Sequence, residues 1–203
     1  MIKQDLFKDI IKSRAKSIFI ELKKLNYYND SLIDNINTDD LKPSGKPFSR
    51  SDVLQAFDEQ WSKYYSDGRW NGKEFTRSNY TGSDSSYYCM SLKFAVEVIK
   101  LTNKIIREIF KAVWTEQIFD CDDFAGMAKA IVAYILYKCG IRNDGAGIGI
   151  IKVDWKENDK LSGHALNCLP IFDNDKLKWF LYESQNTDIY AFPKDWQIHF
   201  FDI

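Results

Sequence analysis

The chain has only two histidines in 203 residues, His164 and His199. That scarcity leaves little material for a Cys/His metal cluster. It also means that any histidine-dependent chemistry has very few ways to be built. Four cysteines are present, Cys89, Cys121, Cys139 and Cys168, and none is spaced as a CxxC pair. A chain of this length does not need disulfides, so the expected setting is a reducing one. No apolar run approaches the length that crosses a bilayer. Residues 1–25 alternate lysines with apolar residues, but Asp5, Asp9 and Glu21 interrupt them, and no cleavable leader pattern follows. The expected location is therefore the cytoplasm, with a phage or prophage origin or a non-classical release route as alternatives. Charge of one sign is lacking too. The 28 basic and 29 acidic residues leave a net charge of -1. That balance gives no support to a nucleic-acid partner or an anionic membrane. Internal repeats and low-complexity tracts are absent.

What is present suits a soluble globular chain, with 45% hydrophobic and 28% charged residues. Residues 2–25 keep a helical rhythm through Ile2, Leu6, Ile10, Ile18, Leu22 and Leu25. Residues 39–51 read as a loop because Pro43, Ser44, Gly45 and Pro47 crowd together. Ser51 or Asp52 can cap a helix to about Tyr65. Residues 69–88 are polar but rich in rings, among them Trp70, Phe75, Tyr80, Tyr87 and Tyr88. They read either as the wall of a binding groove or as a surface loop anchored by a few aromatics. A helix over 89–112 follows, then another from Asp120 or Asp122 to about Tyr137, with Gly140 placed as its left-handed cap. From there the period shortens to two. Strands are expected at 147–153, 163–172 and 177–183, the last two joined by a tight turn at Asp173-Asn174-Asp175, with a final strand at 196–201. Helices first and an antiparallel sheet after give an α+β class. The expected division is a helical, aromatic-rich region at 1–88 packed on a core at 89–203. Oligomeric state is not readable.

One constellation carries chemistry. Cys121, in Asp120-Cys121-Asp122-Asp123-Phe124, stands where an apolar helix begins. Free N–H groups and the helix dipole there favour a thiolate and offer donors to an oxyanion. Asp122 and Asp123 oppose the first effect, so a partner histidine has to compensate. His164, in Gly163-His164-Ala165-Leu166-Asn167, begins a strand and can serve as that partner. Glu183 ends the paired strand and can fix the imidazole from its other nitrogen. Asp122 and Asp123 also offer hard oxygen donors of the kind calcium takes. The alternative is that one caps the helix and the other bonds to a loop or to Arg142. Cys89, ahead of an apolar helix, is the rival nucleophile. His199 reads as a packed or surface strand residue.

DCDDFAGMAKAI, KCGI, SGHALNCL and KWFLYESQ, over about 115–190, resemble the transglutaminase-like branch of papain-fold cysteine peptidases. CDDFA, GHALN and YESQ are similar to the protease domain attached to a fungal agglutinin. The resemblance implies a papain-like core, a Cys121–His164–Glu183 triad and calcium at Asp122 and Asp123. It implies a cysteine hydrolase that cleaves a peptide or amide bond through a Cys121 thioester. Gln117 stands nearest to the oxyanion glutamine of papain-like enzymes, at a spacing that is not papain's. Trp114 takes the place of an aromatic shield, and Trp70, Trp114 and Gln185 are groove candidates. A cell-wall peptide amidase and a transamidase are the alternatives within enzymes. Outside them stands a binding or phage- or toxin-associated structural protein that keeps the fold without turnover. The aromatic region before residue 90 is a further candidate for binding a partner or carbohydrate.

Overall fold

A computed structural model describes residues 37–65, 84–113, 120–157 and 160–203. Thr38–Ile203 form one compact unit. The helix expected over 2–25, and Trp70, Trp114 and Gln117, lie outside the described residues.

Among the described residues the order is β1 Gly45–Ser49, α1 Arg50–Trp61, a 3₁₀ turn Ser62–Tyr64, β2 Ser86–Met90, α2 Leu92–Lys104 and a π-helical turn Ile105–Ile109. Then come α3 Cys121–Lys138, β3 Gly145–Ala146, β4 Gly149–Glu157, β5 Lys160–Asp173, β6 Lys176–Tyr182, β7 Ile189–Tyr190 and β8 Gln197–Asp202. The class is α+β. β1, β2 and β3 make a small sheet, with β1 and β2 antiparallel and β2 and β3 parallel. The main sheet is antiparallel, in the order β7-β6-β5-β4-β8.

Period-two burial splits the main sheet into two faces. Ile151, Val153, Leu166, Cys168, Trp179 and Leu181 point to one face, where α1 lays down Val53, Phe57 and Trp61 at intervals of four. Phe57 stacks on Phe201 at 4.0 Å and meets Trp179 edge-on at 5.1 Å. Each such ring contact adds about 0.5–1.5 kcal/mol to the burial itself. Gln60 also closes the backbone of Trp179, donating to its carbonyl at 2.7 Å and accepting its N–H at 2.9 Å. A side-chain amide thus stands in for a strand where β7 does not reach. On the opposite face, Asn167 donates to Ala125 O of α3 at 2.9 Å, and the Lys129 ammonium meets Asp202 at 3.1 Å.

The hairpin β5–β6 turns through Asn174 and Asp175, both at positive φ (48° and 60°), between the paired residues Asp173 and Lys176. Short Asx side chains tolerate that conformation, and such turns match strand twist. α3 closes on Gly140 at φ 90°. Two expectations fail. Residues 45–49, read as loop, form β1, and residues 86–90 form β2, so Cys89 is in a strand. The helix after it starts at Leu92, where Ser91 accepts the N–H of Phe94. The strands expected at 147–153 and 163–172 extend toward each other, because β4 and β5 stay paired out to Glu157 and Lys160.

Candidate functional site

Asp120 opens α3. Its side chain accepts the N–H of Asp122, while the Asp123 carboxylate accepts the N–H of Asp120, a reciprocal capping box. Cys121 is therefore the first residue of an 18-residue helix whose inner face is buried from Phe124 to Leu136. The sulfur is fixed at the tip of a packed element rather than on a loop.

The sheet meets that tip where β6 leaves β5. Their ladder ends at Asn167 opposite Tyr182. Two residues short of that point, the N–H of Ala165 donates to Cys121 Sγ at 3.4 Å. His164, next to it, places Nε2 2.5 Å from Glu183 Oε2, which leaves Nδ1 for the sulfur. Side-chain exposure is 21% for His164 and 12% for Glu183, so the pair is sheltered but reachable. Glu183 is itself held. Its other oxygen accepts the N–H of Gln185 at 3.0 Å, its own N–H donates to Asp188 O, and Arg107 from the π-helical turn donates to Gln185 O at 2.9 Å. Just before it, the Tyr182 hydroxyl accepts from buried Asn103 at 2.9 Å.

Burial alone would lower the His164 pKa. The hydrogen bonds to Cys121 and Glu183 and the two negative charges outweigh it and carry the imidazole up to about 9. The arrangement therefore favours the imidazolium form of His164. Neighbouring aspartates do not undo this. The hydrogen bond between Asp120 and Asp122 raises the first and lowers the second, and the Lys152 ammonium, 3.2 Å from Asp122, lowers Asp122 further.

Calcium fits these residues poorly. Asp120, Cys121 and Asp122 place donor atoms within 4.8 Å of one another, but one donor is a soft sulfur. Asp122 faces Lys152, and Asp123 is spent on the helix cap.

The structure thus brings Cys121, His164 and Glu183 together, with Gln185 one turn away through its backbone. Three features escaped sequence reading: Lys152, the Ala165 N–H and Arg107. Lys152 was legible in principle, since it is the cross-strand partner of Ala165, directly after His164. The rival thiol is out of play. Cys89 is fully buried in β2, which pushes it up to about 12. Burial raises Cys139 and Cys168 as well. His199 is the extra residue of a bulge in β8, since Lys152 pairs with Phe200 and Val153 with Ile198. Its Nδ1 lies 2.8 Å from Asp154 Oδ1.

No family model and no curated protein sequence matches the chain. Solved structures do resemble it. One is described as the PSL1a–E64 complex, at TM-score 0.56 and 18% identity, covering 77% of this chain and 51% of that one. Another is the Polyporus squamosus lectin bound to the human-type influenza-binding epitope Neu5Acα2-6Galβ1-4GlcNAc, at TM-score 0.53 and 18% identity, covering 77% and 49%. At that identity the likeness is one of fold, and the chain spans about half the length of these neighbours. The structural likeness is to a lectin. It corrects the expectation of a transglutaminase-like or papain-like cysteine peptidase, and with it the hydrolase, amidase and transamidase readings. Among the described residues, no helix is long and apolar enough to cross a membrane.

Proposed function

We propose that the chain is a binding module that seats a small ligand with an electrophilic carbon at the Cys121 sulfur. The observation that carries this is the convergence on Sγ of the Ala165 N–H and the imidazole that Glu183 holds at 2.5 Å. A backbone donor and an imidazolium both stabilise a thiolate, and a thiolate is the form of cysteine that bonds to a soft electrophile. Burial and pKa leave Cys121 as the accessible sulfur with a histidine beside it. The fold neighbour solved as a complex with E64 makes that compound the first to test. Incubation with E64, then intact mass and peptide mapping, should find one adduct on Cys121. The adduct should vanish in Cys121→Ser and form more slowly in His164→Ala. An unmodified wild-type protein, or an adduct mapped to Cys139, overturns the proposal.

A second ligand class is raised by the oligosaccharide on the lectin neighbour. What favours it in this chain is a pair of stacked, part-exposed indoles, Trp155 and Trp196.

A further inference from the structure

Two of the four thiols, Cys121 and Cys139, are half-buried. They stand at opposite ends of one helix, Cys121 as the first residue of α3 and Cys139 as its C-cap. A helix of 18 residues is about 27 Å long. A disulfide needs its Cα atoms within about 7 Å, so these two sulfurs cannot meet in the fold. The other two thiols, Cys89 in β2 and Cys168 in β5, are enclosed in the hydrophobic core at 0% exposure. A sulfur oxidised at Cys121 therefore finds no second thiol of the folded chain to pair with.

What faces the sulfur differs between the two ends of α3. At Cys121 the Ala165 N–H donates to Sγ at 3.4 Å, and the His164 ring, held by Glu183, bonds to the same sulfur. His164 is carried up to about 9, so at neutral pH it holds a proton beside the sulfur. At Cys139 the helix presents its carbonyl end, and burial pushes the thiol up. Attack of a thiol on a peroxide needs a proton for the departing oxygen, and a positioned acid speeds such a step. The geometry supplies that acid to Cys121.

We propose that Cys121 is a site of reversible oxidation by hydrogen peroxide, where the thiol becomes a sulfenic acid that persists for want of a resolving thiol and closes the sulfur to electrophiles. In the step, Sγ attacks one peroxide oxygen, and the S–O bond forms as the O–O bond breaks. The departing oxygen takes the proton of His164 and leaves as water, and the thiol proton returns to the imidazole. Sulfur loses two electrons and the peroxide gains them. An external thiol reverses the change, as sulfenic acids allow. The proposal shares the Cys121 sulfur with the binding reading and goes beyond it.

The full chain is treated with hydrogen peroxide and dimedone, digested, and mapped by mass spectrometry. One dimedone adduct is expected, on Cys121. Without dimedone the intact mass should gain one oxygen, iodoacetamide should no longer alkylate Cys121, and dithiothreitol should restore both. Cys139→Ser should behave as wild type, and Cys121→Ser should take no dimedone. His164→Gln should slow labelling by about tenfold or more. Circular dichroism checks that this variant folds; if it does not, the contrast between Cys121 and Cys139 in the wild type decides. Labelling of Cys139 as fast as Cys121, a disulfide-linked dimer on non-reducing electrophoresis, or an unchanged rate in folded His164→Gln overturns the proposal. Dimedone on Cys121 without an E64 adduct sinks the binding reading alone. An E64 adduct on a protein that peroxide leaves unoxidised sinks this inference alone.

Discussion

Cys121 sits among three aspartates, a setting hostile to a thiolate, and the structure shows how each carboxylate is otherwise engaged. Asp120 and Asp123 are bound into the helix cap, and Asp122 faces Lys152. The remaining negative charge, Glu183, acts on the sulfur through His164. Glu183→Gln preserves shape and removes that charge. A charge-assisted hydrogen bond is worth about 1.5–3 kcal/mol, so the folded chain should hold the His164 proton on the order of tenfold to a hundredfold less tightly. The His164 ring protons, followed by NMR from pH 5 to 10, should titrate at lower pH in the variant. Superimposable titrations would mean that Glu183 does not govern the imidazole.

Among the elements, α3 depends most on its cap. Asp120→Ala removes one side of a reciprocal capping box, for which about 0.5–2 kcal/mol is the usual cost. Urea denaturation should show the midpoint shifted at an unchanged slope. Gln60→Leu should cost more than its half-buried position suggests, because it strips partners from both the N–H and the C=O of Trp179. Two groups left without bonds in a buried strand cost about 1–3 kcal/mol each. A loss below about 1 kcal/mol would show that water or β7 takes over. These elements also mark what the sequence could convey. α3 and the β5–β6 hairpin were legible because their signals are local: an aspartate cap, Gly140 at the far end, and Asn174-Asp175 between alternating runs. His164 and Glu183 followed, since the hairpin register places them. β1 and β2 were not legible. β1 is five residues with a glycine and a proline, and it becomes a strand only by pairing with β2 some forty residues later. Ser91, the true cap of α2, stands two residues beyond Cys89, so strand and helix were read as one. Gln60 gives no sequence signal at all, because its partner is 119 residues away.

Among the described residues a five-stranded sheet is held between α1 on one face and α2 and α3 on the other, and the pH response of the compact unit Thr38–Ile203 should show at that scale. His164 is joined to α3 through Cys121 and to the end of β6 through Glu183, so its protonation couples helix to sheet. In the unfolded chain its pKa returns to the ordinary 6.5, whereas the fold carries it up to about 9. The folded protein therefore holds the proton more tightly, and the stabilisation is complete below about 6.5. It is lost as pH rises through about 9. His199 runs the other way. Burial lowers it, with Asp154 opposing and Lys152 assisting, so its contribution is complete above its unfolded pKa and is lost in acid, as pH falls through the lowered folded value. Between about 6.5 and 9 the contribution of His164 should dominate. Tm of the wild type should fall across that interval, and in His164→Gln the slope should flatten. His199→Gln should keep the alkaline slope and lose only sensitivity on the acid side. A wild-type Tm that is flat or rising from pH 6.5 to 9 would mean that the Cys121–His164–Glu183 contact contributes nothing to holding α3 on the sheet.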